Sequence, residues 1–336
     1  MIRLHSSQPA LILAPMEGVT DPPMRSLLTE IGGFTYCVSE FLRVAQDVPP
    51  EKVLAKHVPE MKFGWSTLGQ IPVQLQLLGG DPEKLAKAAL LACQQGAPAI
   101  DLNFGCPAPT VNRSDGGASL LRCPQRIYHI VRSVRQMVPP EIPVSAKLRL
   151  GWDENKSIFV NAQMAAEGGA DWITIHGRTR TQGYLPPVDW KTIGEVRKDL
   201  SIPVVANGDI WTVEDFHRCR EETGSVHFML GRGAVVDPFL ALKVSGELGL
   251  KTKHEQMFKE APIPWPVLLK RYVDLAIAEK HAGPLRSPLA LCGRLKQWGK
   301  MVSLRTQAPW YQHMKTMGSL EEILQFLDHS ACASLS

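Results

Sequence analysis

The chain has 336 residues, of which 44% are hydrophobic and 21% charged, with a formal charge of +4. That length holds one large domain with a smaller one, and with no run of about 18 apolar residues a membrane-spanning helix is excluded. Seven cysteines, at positions 37, 93, 106, 123, 219, 292 and 331, include no pair at two-residue spacing, so neither a disulfide framework nor a zinc site is expected.

Residues 1–9 lead straight into the apolar run Leu11–Ala14, which is too short for a secretory core, so a cytoplasmic protein with no membrane partner is expected. From there to about residue 245 one pattern recurs: a short apolar run, a turn of Gly, Pro or polar residues, then a longer amphipathic segment. The expected strands are Leu11–Ala14, Phe34–Val38, Val73–Leu77, Ala99–Phe104, Val144–Leu148, Trp172–His176, Pro203–Ala206 and Val226–Leu230. Helices are expected between them, among others over Pro82–Gln95, Gln125–Met137, Ile158–Glu167 and Val213–Glu222. Eight strand-helix units in this span predict an α/β fold, a closed (β/α)8 TIM barrel over residues 1–248. An open doubly wound sheet is disfavoured, because no glycine-rich dinucleotide fingerprint follows the first strand.

A barrel brings the residues that follow each strand to one rim, where such folds carry their chemistry. Pro15, Met16 and Glu17 follow the first strand. Gln76 lies on the third, Asn103 and Cys106 end the fourth, and Lys147 and Arg149 share one face of the fifth. His176 closes the sixth, Asn207-Gly208-Asp209 the seventh, and Gly231-Arg232 the eighth. Cys106 stands in the turn Asn103-Phe104-Gly105-Cys106-Pro107; a lone cysteine there is either a reactive thiol or packing. Likewise His176 reads as a hydrogen-bonded structural histidine or as a catalyst. Lys147 within an apolar strand implies an anion or an electron-rich ring beside it, because an unpaired buried ammonium is costly. The glycine-rich turns after strands seven and eight, with Arg232, favour a phosphorylated ligand.

Beyond residue 250 the polar stretch Lys251–Glu260 and three prolines mark a boundary, and a small all-helical domain is expected over 249–336, with helices at Val267–Glu279, Leu289–Leu304, Gln307–Met317 and Leu320–Leu327. Residues 251–336 hold 12 Lys/Arg against 7 Asp/Glu, leaving 25 against 26 in the first 250. That excess suits a polyanion or an ordinary solvated helical surface. Arg294-Leu295-Lys296-Gln297-Trp298 is either a phosphate grip or a helix with one buried tryptophan.

Ala14-Pro15-Met16-Glu17-Gly18-Val19-Thr20-Asp21, the 103–107 turn, Lys147-x-Arg149-x-Gly151-Trp152, His176-Gly177-Arg178-Thr179, Asn207-Gly208-Asp209 and Gly231-Arg232-Gly233-Ala234 together resemble the tRNA-dihydrouridine synthases. Glu40-Phe41-Leu42-Arg43-Val44 and Arg294–Trp298 are most similar to that family's bacterial C subfamily, which reduces uridine 16 of the tRNA D-loop. The resemblance implies FMN, NADPH as reductant, and reduction of the uridine C5–C6 bond, with hydride to C6 and a proton to C5 from Cys106. It implies flavin contacts from Pro15, Met16, Glu17 and Gln76, and a phosphate end at Asn207, Gly208, Asp209, Gly231 and Arg232. Lys147 and His176 are implied beside the flavin ring, where a cation favours its reduced form, and Asn103 and Arg149 face the uracil. Arg43, Arg294 and Lys296 are implied to grip the tRNA, and a monomer is expected. The 108–112 stretch departs from relatives, which carry a basic residue near Pro109; Arg113 is the expected substitute. A flavin barrel reducing a free small molecule, as dihydroorotate-type dehydrogenases do, is the alternative; a Schiff-base aldolase using Lys147 would leave the whole motif set a coincidence. A tRNA-binding protein on a disabled barrel is disfavoured, because competent residues fill every chemical position.

Overall fold

The computed structural model describes residues 2–113, 115–250, 263–278 and 287–333. Eight parallel strands close into a barrel in sequence order. They are β1 (Ala10–Leu13), β2 (Tyr36–Arg43), β3 (Val73–Leu78), β4 (Ile100–Asn103), β5 (Val144–Arg149), β6 (Trp172–His176), β7 (Val204–Asn207) and β8 (His227–Leu230). Around them run α1 (Pro22–Ile31), α2 (Glu51–His57), α3 (Pro82–Gln94), α4 (Pro109–Asn112), α5 (Pro124–Met137), α6 (Ser157–Glu167), α7 (Trp190–Asp199), α8 (Val213–Thr223), α9 (Arg232–Val236) and α10 (Leu240–Glu247). The tail adds α11 (Trp265–Ile277), α12 (Pro288–Ser303), α13 (Pro309–Met314) and α14 (Leu320–Ala333). Among the described residues no helix is long and apolar enough to cross a membrane. The polar stretch Lys251–Glu260, and Glu279 at the end of an expected helix, lie outside the described residues.

Strand alternation divides the core in two. Outward-facing residues such as Leu75, Leu102, Ala146, Ile175 and Phe228 join the helices in one continuous apolar cluster that also takes in the tail residues Leu268, Leu295 and Trp298. Inward-facing Ile12, Tyr36, Val38, Trp172, Val205 and Met229 pack together inside the barrel. Above this floor the inward positions turn polar. Register sets Gln76 beside Asp101, Asn103 beside Lys147, Arg149 beside His176, and His176 beside Asn207.

The second strand starts later and runs further than its apolar residues predict. Its pairing with β3 continues through a register shift between Val38 and Phe41 up to Arg43. Ladder hydrogen bonds therefore carry the polar Ser39-Glu40 pair inside a strand that apolar patterning ends at Val38.

The tail docks through polar contacts that correct an expectation. Arg294 is only 5% exposed. Its Nε donates to Asp21 Oδ2 at 3.2 Å and its Nη2 to the Val19 carbonyl. Asp21 also caps α1 by accepting from the Met24 N–H, and takes the Tyr272 hydroxyl at 2.8 Å. Arg294 thus fastens the tail to the first turn of α1 and is closed to tRNA phosphate. Lys296 is half-buried and donates from Nζ to the Met317 carbonyl at 2.5 Å. Trp298 is fully buried, its Nε1 donating to the Val235 carbonyl at 2.8 Å, so the buried-tryptophan reading of this helix is the one the structure supports. Arg43 is exposed.

Removing one partner of a buried ion pair leaves the other uncompensated, at a cost of about 3–5 kcal/mol. Arg294→Ala is therefore expected to lower the unfolding free energy by about that amount in urea titrations, whereas Lys296→Ala costs about 1–2 kcal/mol. Equal, small losses from the two substitutions contradict the fastening role.

Candidate active site

A cavity of about 690 Å³ opens at the C-terminal rim of the barrel. Loops after β1, β4, β6, β7 and β8 line it, as do the side chains of Gln76, Lys147, Arg149, His176 and Asn207 from the strands. Every expected cofactor position from Pro15 to Arg232 contributes to this lining, together with Cys106, Asn103 and Arg149. Arg43, Arg294 and Lys296 do not.

Cys106 is half-buried in a turn that its neighbours hold rigid. Asn103 Oδ1 accepts from the Gly105 and Cys106 N–H groups at 3.0 and 2.9 Å, and the Cys106 carbonyl accepts from the Ala118 N–H. Gly117 packs beneath it at φ +59°, where an added Cβ would stand 3.1 Å from the Cys106 Cβ. Burial pushes the thiol above its ordinary pKa, against weaker pulls from the Ala108 N–H and Arg149. It therefore holds its proton at neutral pH.

Arg149 braces this turn. Its Nε donates to the Gly105 carbonyl at 2.8 Å and its Nη1 to the Thr179 and Gly183 carbonyls. Lys147 is half-buried, with Nζ 3.1 Å from Asn207 Oδ1, a neutral hydrogen-bond partner; desolvation and then Arg149 lower its pKa. His176 is 9% exposed, and its Nδ1 has no partner among the described residues. Burial, then the positive charges of Arg149, Lys147, Arg178 and Arg232, hold its pKa well below the ordinary value. It is a neutral imidazole, so His176 offers a hydrogen bond and Lys147 the charge.

At the far end Asp209 pairs with Arg232 at 2.9 Å and with the fully buried Arg178. Burial raises its carboxyl, but the hydrogen bond and charge of Arg178 outweigh this and hold it below the usual range. Asp209 lines the cavity and holds the Arg232 guanidinium beside it there, while Arg178 anchors it. Gly233 lets α9 approach the β7 loop; a Cβ there would meet the Ile210 carbonyl oxygen at 2.1 Å. Below the β1 loop, Glu40 accepts from the Gly18 N–H at 2.6 Å, its carboxyl pushed up to about 7 by burial.

The dihydrouridine synthase (Dus) family model matches residues 12–326. The chain belongs to that family. Among its relatives, a tRNA-dihydrouridine(16) synthase of Pseudomonas putida is 43% identical over 293 residues, 87% of this chain and 88% of that protein. Another from Ralstonia nicotianae is 40% identical over 325 residues, 95% of both. Among solved structures, the old yellow enzyme homologue from Zymomonas mobilis has a TM-score of 0.52 at 14% identity, covering 82% of this chain and 98% of that one. Histamine dehydrogenase from Rhizobium sp. 4-9 has a TM-score of 0.56 at 13% identity, covering 80% and 49%. These two are likenesses of fold.

Several lining residues of this family member carry no signal in the sequence. Tyr184, 55% exposed, lies between the guanidiniums of Arg232 and Arg149, at 4.5 and 5.3 Å from its ring centroid. Trp211 stands between Arg232 and Arg305. Met301 of α12 and Leu304 just beyond it come from the tail to close one wall. Each follows from loop or helix packing across long sequence separations, and only the arginine-aromatic alternation hints at it in retrospect.

A protonated Cys106 has a direct chemical test. Its alkylation by iodoacetamide, followed by peptide-resolved mass spectrometry, is expected to rise with pH to a midpoint above the ordinary thiol value of about 8.5. A midpoint near 7 would make it a thiolate nucleophile instead.

Proposed function

We propose that this protein reduces the C5–C6 double bond of a tRNA uridine, at position 16 of the D-loop, with FMN as resident cofactor and NADPH as reductant. The observation that carries the reading is a rim cavity with a protonated thiol in a rigid turn on one wall and a cluster of cations around it. Family membership and the names of the 40–43% identical relatives support the substrate and the position.

The donor set fits a flavin mononucleotide. Lys147 is half-buried, its Nζ hydrogen-bonded to a single neutral amide oxygen, and the buried His176 Nδ1 has no partner among the described residues. Both suit a ring system rich in hydrogen-bond acceptors that becomes anionic on reduction. Arg232, aimed by Asp209, suits the phosphate. Pro15, Met16, Glu17 and Gln76 would line the ring, with Asn207, Gly208 and Gly231 toward the phosphate end. When bound, the reduced flavin supplies hydride to C6 of the uracil. The residues of the chain do the rest. Arg149 and Asn103 hold the turn that carries Cys106 and face the base, the buried walls exclude water, and the Cys106 thiol delivers its proton to C5. The base leaves its stack to enter a cavity of this depth. Residues 1–248 form the cofactor-binding catalytic unit. Residues 249–336 form the tRNA-binding unit, which with the exposed Arg43 and a half-buried Lys296 meets the RNA backbone. The enzyme acts as a monomer in the cytoplasm.

Removing a positioned general acid costs on the order of 10²- to 10⁴-fold. Cys106→Ala is expected to retain flavin absorbance and tRNA affinity while single-turnover dihydrouridine formation falls by about that factor. Turnover at the wild-type rate would remove Cys106 from the reaction.

A further inference from the structure

Asp101 lies on β4, one inward position below Asn103, 2% exposed and outside the cavity lining. Both of its oxygens are engaged. Oδ2 accepts from Gln76 Nε2 at 2.7 Å, and Oδ1 accepts from Ser145 Oγ at 2.5 Å. Ser145 Oγ in turn accepts from Gln74 Nε2 at 2.9 Å. On the other side of Gln76, Oε1 accepts from Asn103 Nδ2 at 2.8 Å. Asn103 Oδ1 then receives the Gly105 and Cys106 N–H groups. The chain of contacts runs unbroken from a buried carboxylate to the backbone of the thiol.

The chain has a direction. An ionised carboxylate only accepts hydrogen bonds, whereas a side-chain amide does both, through opposite ends. Asp101 thus forces Gln76 to turn its NH₂ inward and its oxygen toward Asn103. That oxygen can only accept, so Asn103 must turn its NH₂ toward Gln76 and leave its own oxygen for the two loop N–H groups. Reversing either amide would set oxygen against oxygen inside a buried layer, where an unsatisfied polar group costs about 1–3 kcal/mol. Each amide also keeps one uncommitted N–H hydrogen. Asn103 Oδ1 is filled by the two loop N–H groups, so what Asn103 has left for a ligand is donor only, while Gln76 offers one N–H and one remaining acceptor site on Oε1.

We propose that Asp101 is a positioning residue that sets the polarity of the Gln76 and Asn103 amides and, through them, the backbone geometry of the Cys106 turn. This rests on the reading of Cys106 as the proton donor. Asp101 touches neither cavity nor thiol; it acts through three successive hydrogen bonds. Burial pushes the Asp101 carboxyl up to about 6, against weaker pulls from the hydrogen bonds of Gln76 and Ser145 and the charge of Lys147, so at neutral pH the ionised, acceptor-only form still prevails.

The test compares Asp101→Asn, Gln76→Glu and the double variant Asp101→Asn/Gln76→Glu, each in the flavin-loaded protein. Asp101→Asn keeps the side-chain shape but lets the amides reverse. Gln76→Glu alone sets two carboxylates against each other. The double variant moves the acceptor-only group one position along the chain. The carboxylate introduced at 76 accepts from the amide at 101 and from Asn103, so Asn103 regains its orientation. Hydrogen exchange of the Gly105 and Cys106 amides reads the turn directly, and kcat and KM for tRNA read its consequence. Asp101→Asn is expected to speed that exchange at least about tenfold and to lower kcat by about 10- to 100-fold with KM within about twofold, the scale of a misplaced reacting group. The double variant is expected to be more protected and faster in turnover than Gln76→Glu. That ordering still tests the relay if Asp101→Asn does not yield folded protein. Wild-type exchange in Asp101→Asn, or a double variant no better than Gln76→Glu, overturns the proposal. If exchange follows the expected order while no variant, nor the wild type, forms dihydrouridine, the relay stands and the proposed function falls.

Discussion

Asp101, Lys147 and the amides of Gln76, Asn103 and Asn207 sit inside a barrel whose floor is apolar, where a polar group without a partner is costly. They pair with one another because water is excluded, and the pairing fixes where each reacting side chain stands. Asn103 shapes the Cys106 turn, Asn207 holds Lys147, and Arg149 binds the same turn from the opposite side. The outer rim repeats the pattern with full charges, since Asp209 aims Arg178 and Arg232 together. Rigidity here comes from this hydrogen-bond network as well as from close apolar packing. Loops can then vary around the mouth while the thiol and the cations keep their places.

The tail belongs to the same construction. Its helices share an apolar cluster with the barrel, and Asp21 ties it down through Tyr272 and Arg294. Met301 and Leu304 then close a wall of the cavity. The unit proposed to bind tRNA therefore also shapes the space that receives the base. A change in the tail reaches the site through packing, without any contact to the reacting atoms.

Much of this was legible in the sequence, and for a definite reason. Apolar runs at regular spacing give eight strands, and closure of eight strands brings Gln76, Asn103, Lys147, Arg149, His176 and Asn207 to one rim whatever the loops do. The illegible parts are those decided by partners far away in the chain. Arg294 looks like a surface cation until its carboxylate appears 273 positions earlier, at Asp21. His176 looks ionisable until burial and four surrounding cations remove its charge. Tyr184 and Trp211 lie in loop stretches with no periodicity, and nothing local distinguishes them from other loop aromatics. The extension of β2 through Ser39-Glu40 is a case of tertiary pairing overriding an apolar pattern that ends at Val38.

The central claim is that this cavity reduces a specific uridine of tRNA. Its most direct test is dihydrouridine mapping in tRNA from cells lacking this gene, before and after incubation with the purified protein, FMN and NADPH. The account predicts dihydrouridine missing at position 16 and restored there by the protein. Position 16 already modified without the gene, or no dihydrouridine formed on incubation, would contradict it.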